Sequence, residues 1–220
     1  SLIHMSTERQ DNSLLYRPSV TVTSDPPPGW DDFVGRHSGV TAYHRAAALL
    51  IGREQFGLKV YFLRAERGGQ TVGILPLVEQ SSLAFGHFLV SVPFFTYGGI
   101  LAEDGPTATA LAAEAAVLGQ SLQVDHVELR HQSDLEGLSL PQRLDKVSLA
   151  LPLPGTEEAL GKQLGSKLRS QIRRAERENP EVIWGGAELV PDFYSVFARS
   201  MRDLGTPVYP QRFFASTCRA

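Results

Sequence analysis

Two β-prone runs, Lys59–Ala65 and Thr71–Glu79, are rich in Val, Ile, Phe and Tyr and flank the pentapeptide Glu66-Arg67-Gly68-Gly69-Gln70. Runs of this kind across a short glycine turn predict a β-hairpin. A hairpin alone cannot bury its apolar residues, so the rest of the chain must supply a sheet and helices to cover it. The flanking patterns do so. Trp30, Phe33 and Val34 share a helical face, and a helix from about Ala42 to Phe56 turns Ala46, Leu49, Leu50 and Phe56 inward, with Gly57 as its stop. A third strand is expected at Leu83–Val92, a helix at Ala108–Leu122, and a strand at Val124–His131, where Val127 and Leu129 alternate with His126, Glu128 and Arg130.

The second half is helical with short strands between. Lys146–Leu153 reads as a strand, Glu157–Glu178 as a helix broken near Gly165 and closed by Pro180, and Val182–Trp184 as a short strand. Pro191–Leu204 reads as a helix with Phe193, Phe197, Met201 and Leu204 on one face. The chain start is polar and ends in Pro26-Pro27-Pro28, a stiff spacer. Ser1–His4 read as a leader ahead of Met5. With 220 residues, 42% of them hydrophobic, 20% charged and a formal charge of −3, the composition excludes disorder and collagen.

No apolar run approaches the ~20 residues of a membrane-spanning helix. Phe88–Phe95 comes closest, and it contains Pro93. A single cysteine, Cys218, excludes an internal disulfide and reads as a buried spectator thiol in a reducing, cytoplasmic setting. No Cys/His spacing suits a metal, so neither metal nor cofactor is expected.

Three stretches could carry chemistry. Between Ala159 and Ala175, Lys162, Lys167, Arg169, Arg173 and Arg174 occur without an acidic residue, while Leu160, Leu164, Leu168 and Ile172 recur every four positions. Such a helix offers a cationic face to a phosphate-bearing partner such as tRNA; the plainer reading is a solvated face balanced by Glu157, Glu158, Glu176 and Glu178. In Pro93-Phe94-Phe95-Thr96-Tyr97-Gly98-Gly99, aromatics and glycines mix in a loop. Glycine would let a substrate approach the backbone, or the loop is a strand-end turn. Met201–Pro210, with Arg202 and Tyr209, is a substrate-facing loop or a helix end capped by Gly205. His44 and His126 are candidate acid/base groups without a catalytic spacing. Gln70-Thr71-Val72-Gly73-Ile74-Leu75 is the nearest string to an acyl-CoA pyrophosphate loop, but it ends in Leu and lies in a strand.

Taken together, Tyr43-His44, Gly73–Leu77, Ser91–Gly99, Val127–Arg130, Lys167–Ala175 and Met201–Tyr209 resemble the FemAB-related proteins associated with the exosortase/PEP-CTERM system. The resemblance runs from about Trp30 to Phe214. It implies an α+β fold: a GNAT-like mixed sheet flanked by helices, with the beginning of a second GNAT-like domain. The expected organisation is a leader and unstructured N-terminus over residues 1–18, a first domain over 19–140, and an incomplete second domain over 146–220, because relatives of this type continue well beyond Phe214. It further implies acyl or aminoacyl transfer to an amine acceptor in cell-envelope or exopolysaccharide biosynthesis, with little activity expected from so short a chain.

Substrate-binding residues are expected at Tyr97, Gly98, Gly99, Lys167, Arg169, Arg173, Arg174, Arg202 and Tyr209, with no catalytic residue assigned. The implied partners are an aminoacyl-tRNA or other acyl donor and a cell-envelope precursor as acceptor, and an unfinished sheet would favour a homodimer. The alternative is a non-catalytic binding or scaffold module of an envelope or exopolysaccharide assembly system.

Overall fold

In the computed structural model, residues 17–219 are described, apart from 85, 133, 136 and 144–148. They form two compact units, residues 17–139 with 187–219, and residues 140–186. The segment expected as a second domain therefore contributes to both.

The first unit is an α+β layer structure. Its strands are β1 (Ser19–Thr23), β2 (Lys59–Arg67), β3 (Gln70–Ser82), β4 (Gly86–Val90), β5 (Leu101–Ala102) and β6 (His126–Glu128). They lie in the order β1-β2-β3-β4-β6, with β5 pairing β3. Neighbours are antiparallel except β4 and β6, which run parallel with Phe88 opposite His126 and Val90 opposite Glu128. A parallel pair needs a crossover; α3 (Gly105–Ser121) provides it.

The hairpin forms as expected. Gly68 and Gly69 both have positive φ (58° and 78°), the conformation of a two-residue type I′ turn that matches the twist of the strands. β3 runs on to Ser82, which pairs with Gly86. This tight turn shortens the expected third strand to Gly86–Val90 and leaves Leu83 fully exposed.

The sheet is covered on both faces. One core joins Trp30, Phe33, Val34, Ala46, Leu49, Val60, Phe62, Ile74 and Val78 beneath α1 (Trp30–Arg36) and α2 (Ala46–Phe56). The other joins Leu63, Leu75, Leu77, Leu89, Leu111 and Ala115 beneath α3. Burial on both faces explains why β3 reads as a continuous apolar run instead of an alternating one. The helix expected from Ala42 is split into a 3₁₀ turn, Ala42–His44, and α2, because Arg45 between them is extended. Gly57 caps α2 in the left-handed conformation, and Asp104 caps α3 by accepting from the Thr107 backbone N–H.

Two later helices, α6 (Val190–Asp203) and α7 (Gln211–Arg219), belong to the same unit. α7 lies in a stretch to which the sequence reading assigns no element. It packs on α2, where Gln55 Nε2 donates to Ser216 Oγ at 2.8 Å, and Phe213 meets Phe56 and Phe94. Cys218 lies on the outer side of α7 and is exposed, not buried.

The second unit carries α4 (Glu157–Gln163) and α5 (Ser166–Arg177), with the break near Gly165 as expected. Neither of its two expected strands is seen among the described residues. Lys146–Ser148 lie outside the described residues, while Leu149–Leu153 and Val182–Trp184 have no regular structure. Leu149 and Trp184 are 95% and 91% exposed. β-Propensity alone does not hold a strand without a neighbour to pair with and a face to bury.

Candidate functional site: the loop beyond two parallel strands

β4 and β6 end side by side, and the chain leaves their carboxyl ends as Ser91–Ile100 and Leu129–His131. Main-chain and side-chain bonds sew the two segments together. Ser91 N–H donates to Glu128 O (3.0 Å), Gly98 N–H to Arg130 O (3.1 Å), and Arg130 N–H to Ser91 Oγ (2.8 Å). The Arg130 guanidinium, aligned by its ion pair to Glu128 (2.6 Å), donates to the carbonyls of Pro93 and Phe95, both at 3.0 Å. Three anchor points on one planar cation leave the loop little freedom.

Three histidines close the loop from below. Ile100 N–H donates to His131 Nε2 at 2.8 Å. Thr41 N–H donates to His44 Nδ1 at 3.1 Å, so His44 Nε2 carries the proton and donates to Gly99 O at 3.1 Å. Likewise Gly39 N–H donates to His37 Nδ1, leaving Nε2–H to reach Ala102 O at 3.2 Å. Thr41 Oγ1 donates to Tyr97 O at 3.1 Å. His44 is 3% exposed, and Trp30 Nε1 donates to its carbonyl. Burial pushes the His44 imidazole below its ordinary range against the pull of its bond to the Gly99 carbonyl; burial does the same to His131.

The glycines of the loop are packed rather than open. A Cβ on Gly99 would lie 2.5 Å from the His131 ring, and one on Gly98 would overlap the Val92 side chain. Both residues are buried. Tyr97 is half-buried and Thr96 exposed, so these two, with Pro93, Phe94 and Phe95, form the loop's reachable surface. Phe95 stacks on Tyr43 at 4.3 Å between ring centroids.

Tyr209 comes to the same region. Its ring lies 5.7 Å from Phe94 and 4.9 Å from Phe213, while its carbonyl accepts from Tyr194 Oη. Tyr209 thus reaches the loop at Phe94, in the same segment as Tyr97, Gly98 and Gly99. Arg202 is elsewhere on α6, exposed and paired with Asp203. Leu204, its neighbour, is 72% exposed, and Gly205 adopts the left-handed conformation (φ 69°) expected of a helix stop.

In the second unit, Lys167, Arg173 and Arg174 are exposed on α5. Arg169 differs from them. Its guanidinium donates to Gly161 O (3.0 Å) and to Leu164 O, satisfying carbonyls at the end of α4. It fixes the α4–α5 corner.

Sequence reasoning missed Arg130 and His131 as the builders of this loop. The alternation of His126, Glu128 and Arg130 was legible, but not which carbonyls the guanidinium would find 35 and 37 residues earlier. His126 is exposed and stacks on Phe88.

A second polar cluster lies at the other end of β3. Glu79 takes Tyr61 Oη (2.7 Å), Lys59 Nζ (3.1 Å) and His87 Nε2 (3.1 Å). Burial raises its carboxyl, but the three donors outweigh that and hold it below the ordinary range; Tyr61 is pushed up by burial and by Glu79. Every oxygen there is occupied by this chain's own donors.

Among the described residues no cluster of His, Cys, Asp and Glu could hold a metal, and no helix is long and apolar enough to cross a membrane. The chain matches no family model, no curated protein and no solved structure.

Proposed function

We propose that the chain is a FemAB-like acyl- or aminoacyl-transferase acting on an amine acceptor in cell-envelope or exopolysaccharide biosynthesis, built on a GNAT-like sheet. The observation that carries this reading is the junction beyond β4 and β6. Open sheets bind ligands beyond the carboxyl ends of strands where the strand order changes, and here the loop at that point is sewn down by Arg130 and three histidines. The element order β1-α1-α2-β2-β3-β4-β5-α3-β6, with its one parallel pair, supports that reading.

In the proposed reaction an amine nitrogen attacks the activated ester carbonyl, an amide forms, the ester C–O bond breaks, and the amine proton leaves with the alcohol. Positioning two reactants is the main demand of such a step. Tyr97 and Tyr209 offer aromatic surfaces to the reactants. Lys167, Arg173 and Arg174 offer charge to a phosphate-bearing donor or acceptor.

Fluorescence anisotropy with aminoacyl-tRNA, titrated from 50 to 200 mM salt, tests the donor. Reversing Arg173 and Arg174 together to Glu should weaken binding and lower the salt slope by about two, since each phosphate contact contributes ~0.7–0.9. Unchanged affinity at low salt would return this face of α5 to a solvated one. The exposed apolar side of α6, with Phe193, Val196 and Leu204 at 48%, 71% and 72% exposure, favours a second reading, the non-catalytic binding module. Transfer of a labelled aminoacyl group to an amine acceptor, lost in Tyr209→Ala, would exclude it.

A further inference from the structure

We propose that His44 and His131, set beside His37, brace residues 97–102 as neutral imidazoles and release them when these two rings gain a proton on acidification. The three rings come from separate places: the end of α1, the 3₁₀ turn before α2, and the segment after β6. They converge on one stretch of backbone, at Gly99 O, Ile100 N–H and Ala102 O.

The protonation state is written in the bonds. Each ring accepts a backbone N–H on one nitrogen: Gly39 onto His37 Nδ1, Thr41 onto His44 Nδ1, and Ile100 onto His131 Nε2. A nitrogen that accepts cannot carry a proton, so His44 and His131 are neutral and their tautomers are set. Adding a proton to either turns its acceptor into a donor aimed at another donor. The bond is then lost, and at the buried Ile100 the N–H loses its partner.

Beyond Thr41 Oγ1, 3.0 Å from His44 Nδ1, the surroundings offer an imidazolium little relief. α1 presents Asp31, already accepting from Ala46 N–H, and Arg36, donating to Thr71 O. The segment after β6 presents Arg130, bound to Glu128 and to the loop carbonyls. The other charges acting on His44 are His37 and His131 themselves, and each disfavours a second proton. For His131 burial alone acts in the same direction.

The sign follows. Both folded-state values lie below the unfolded imidazole value of about 6.5. The brace therefore contributes fully above that pH, and its contribution falls as the pH drops from about 6.5 through the lowered values. Because the Gly99 position is filled by the His131 ring, movement of that ring loosens the loop that carries Tyr97. What this does to substrate binding rests on the transferase reading; the release itself does not.

Hydrogen exchange read by mass spectrometry on the full chain at pH 7.5 and 5.0, corrected for intrinsic exchange, tests the release. Peptides covering 39–44 and 96–102 should exchange severalfold faster at pH 5.0, while Val60–Leu63 should not change. His131→Gln places an untitratable acceptor where Nε2 stood and should shrink the response. In case that variant does not fold, proton NMR of the histidine ring protons in the unaltered chain should give His44 and His131 midpoints below 6.5. No selective acceleration, an undiminished response in folded His131→Gln, or midpoints at or above 6.5 would overturn the proposal. None of these readouts depends on transfer activity.

Discussion

β3 and α5 are similar in length, thirteen and twelve residues, and both stand out in the sequence, yet their fates differ. β3 is buried from Thr71 to Glu79 between two layers of helices, whereas no described residue of 140–186 is buried. α5 shows the sharper separation of apolar and charged faces, while α3 is mixed Ala, Leu and Thr with little asymmetry. Amphipathic pattern thus reports what a helix could bury. Whether it buries anything depends on a second layer being present.

The largest effect should come from the sheet. Leu75 is fully buried at the centre of β3, and Leu75→Ala should cost ~3–5 kcal/mol in chemical denaturation, from lost transfer energy and the cavity left behind. A cost under ~1 kcal/mol would mean that the two cores are far looser than their burial implies.

Next in size is the loop. Gly99→Ala should cost ~1–3 kcal/mol, because the added methyl meets the His131 ring at 2.5 Å and a buried imidazole with a fixed bond cannot step aside freely. Gly165→Ala, in the other unit, meets nothing within 4 Å and has an ordinary φ of −58°. It should be neutral in the same thermal melts. Equal effects at the two sites would break the contrast between them.

A smaller effect is expected at the start of α3. Asp104→Ala removes the cap on Thr107 N–H and the ion pair to Arg67 (2.9 Å), which should lower stability by about 1 kcal/mol.

How much of this was legible follows the same division. Local chemistry settled the hairpin, since Gly68-Gly69 permits the turn, and the stop at Gly57, and the break at Gly165. Tertiary pairing settled the rest. Val182–Trp184 is as β-prone as β1, but β1 finds β2 alongside and Val182–Trp184 finds no strand among the described residues. α7 was missed because Gln211–Arg219 follows a Gly/Pro-rich stretch and holds only two strong apolar residues, Phe213 and Phe214, whose value appears once Phe56 and Phe94 come together. In the candidate site, the aromatic and glycine composition drew attention to this loop, but the packing gives its glycines another reason: they admit Val92 and His131. His44 stood out as a titratable group, and its place as a neutral brace required knowing that Gly99 and Thr41 lie at its two nitrogens.

The smallest effect should come from α5, and it tests the comparison most directly. Leu168 and Ile172 are its principal apolar residues and are 44% and 41% exposed. If α5 holds its shape through Arg169 and its own backbone bonds, Leu168→Ala and Ile172→Ala should each change stability by no more than ~0.5 kcal/mol, the range of ordinary surface positions. Amides of α5 should exchange much faster than those of β2 and β3, because a twelve-residue helix with no buried face is marginal in water. Arg169→Ala should speed that exchange further by freeing the carbonyls of Gly161 and Leu164 without altering the melting of the sheet unit. A loss of ~2 kcal/mol in Leu168→Ala, or amides in α5 as protected as those of β3, would mean that these residues are covered in solution and that the contrast between the two units is not a property of the folded protein.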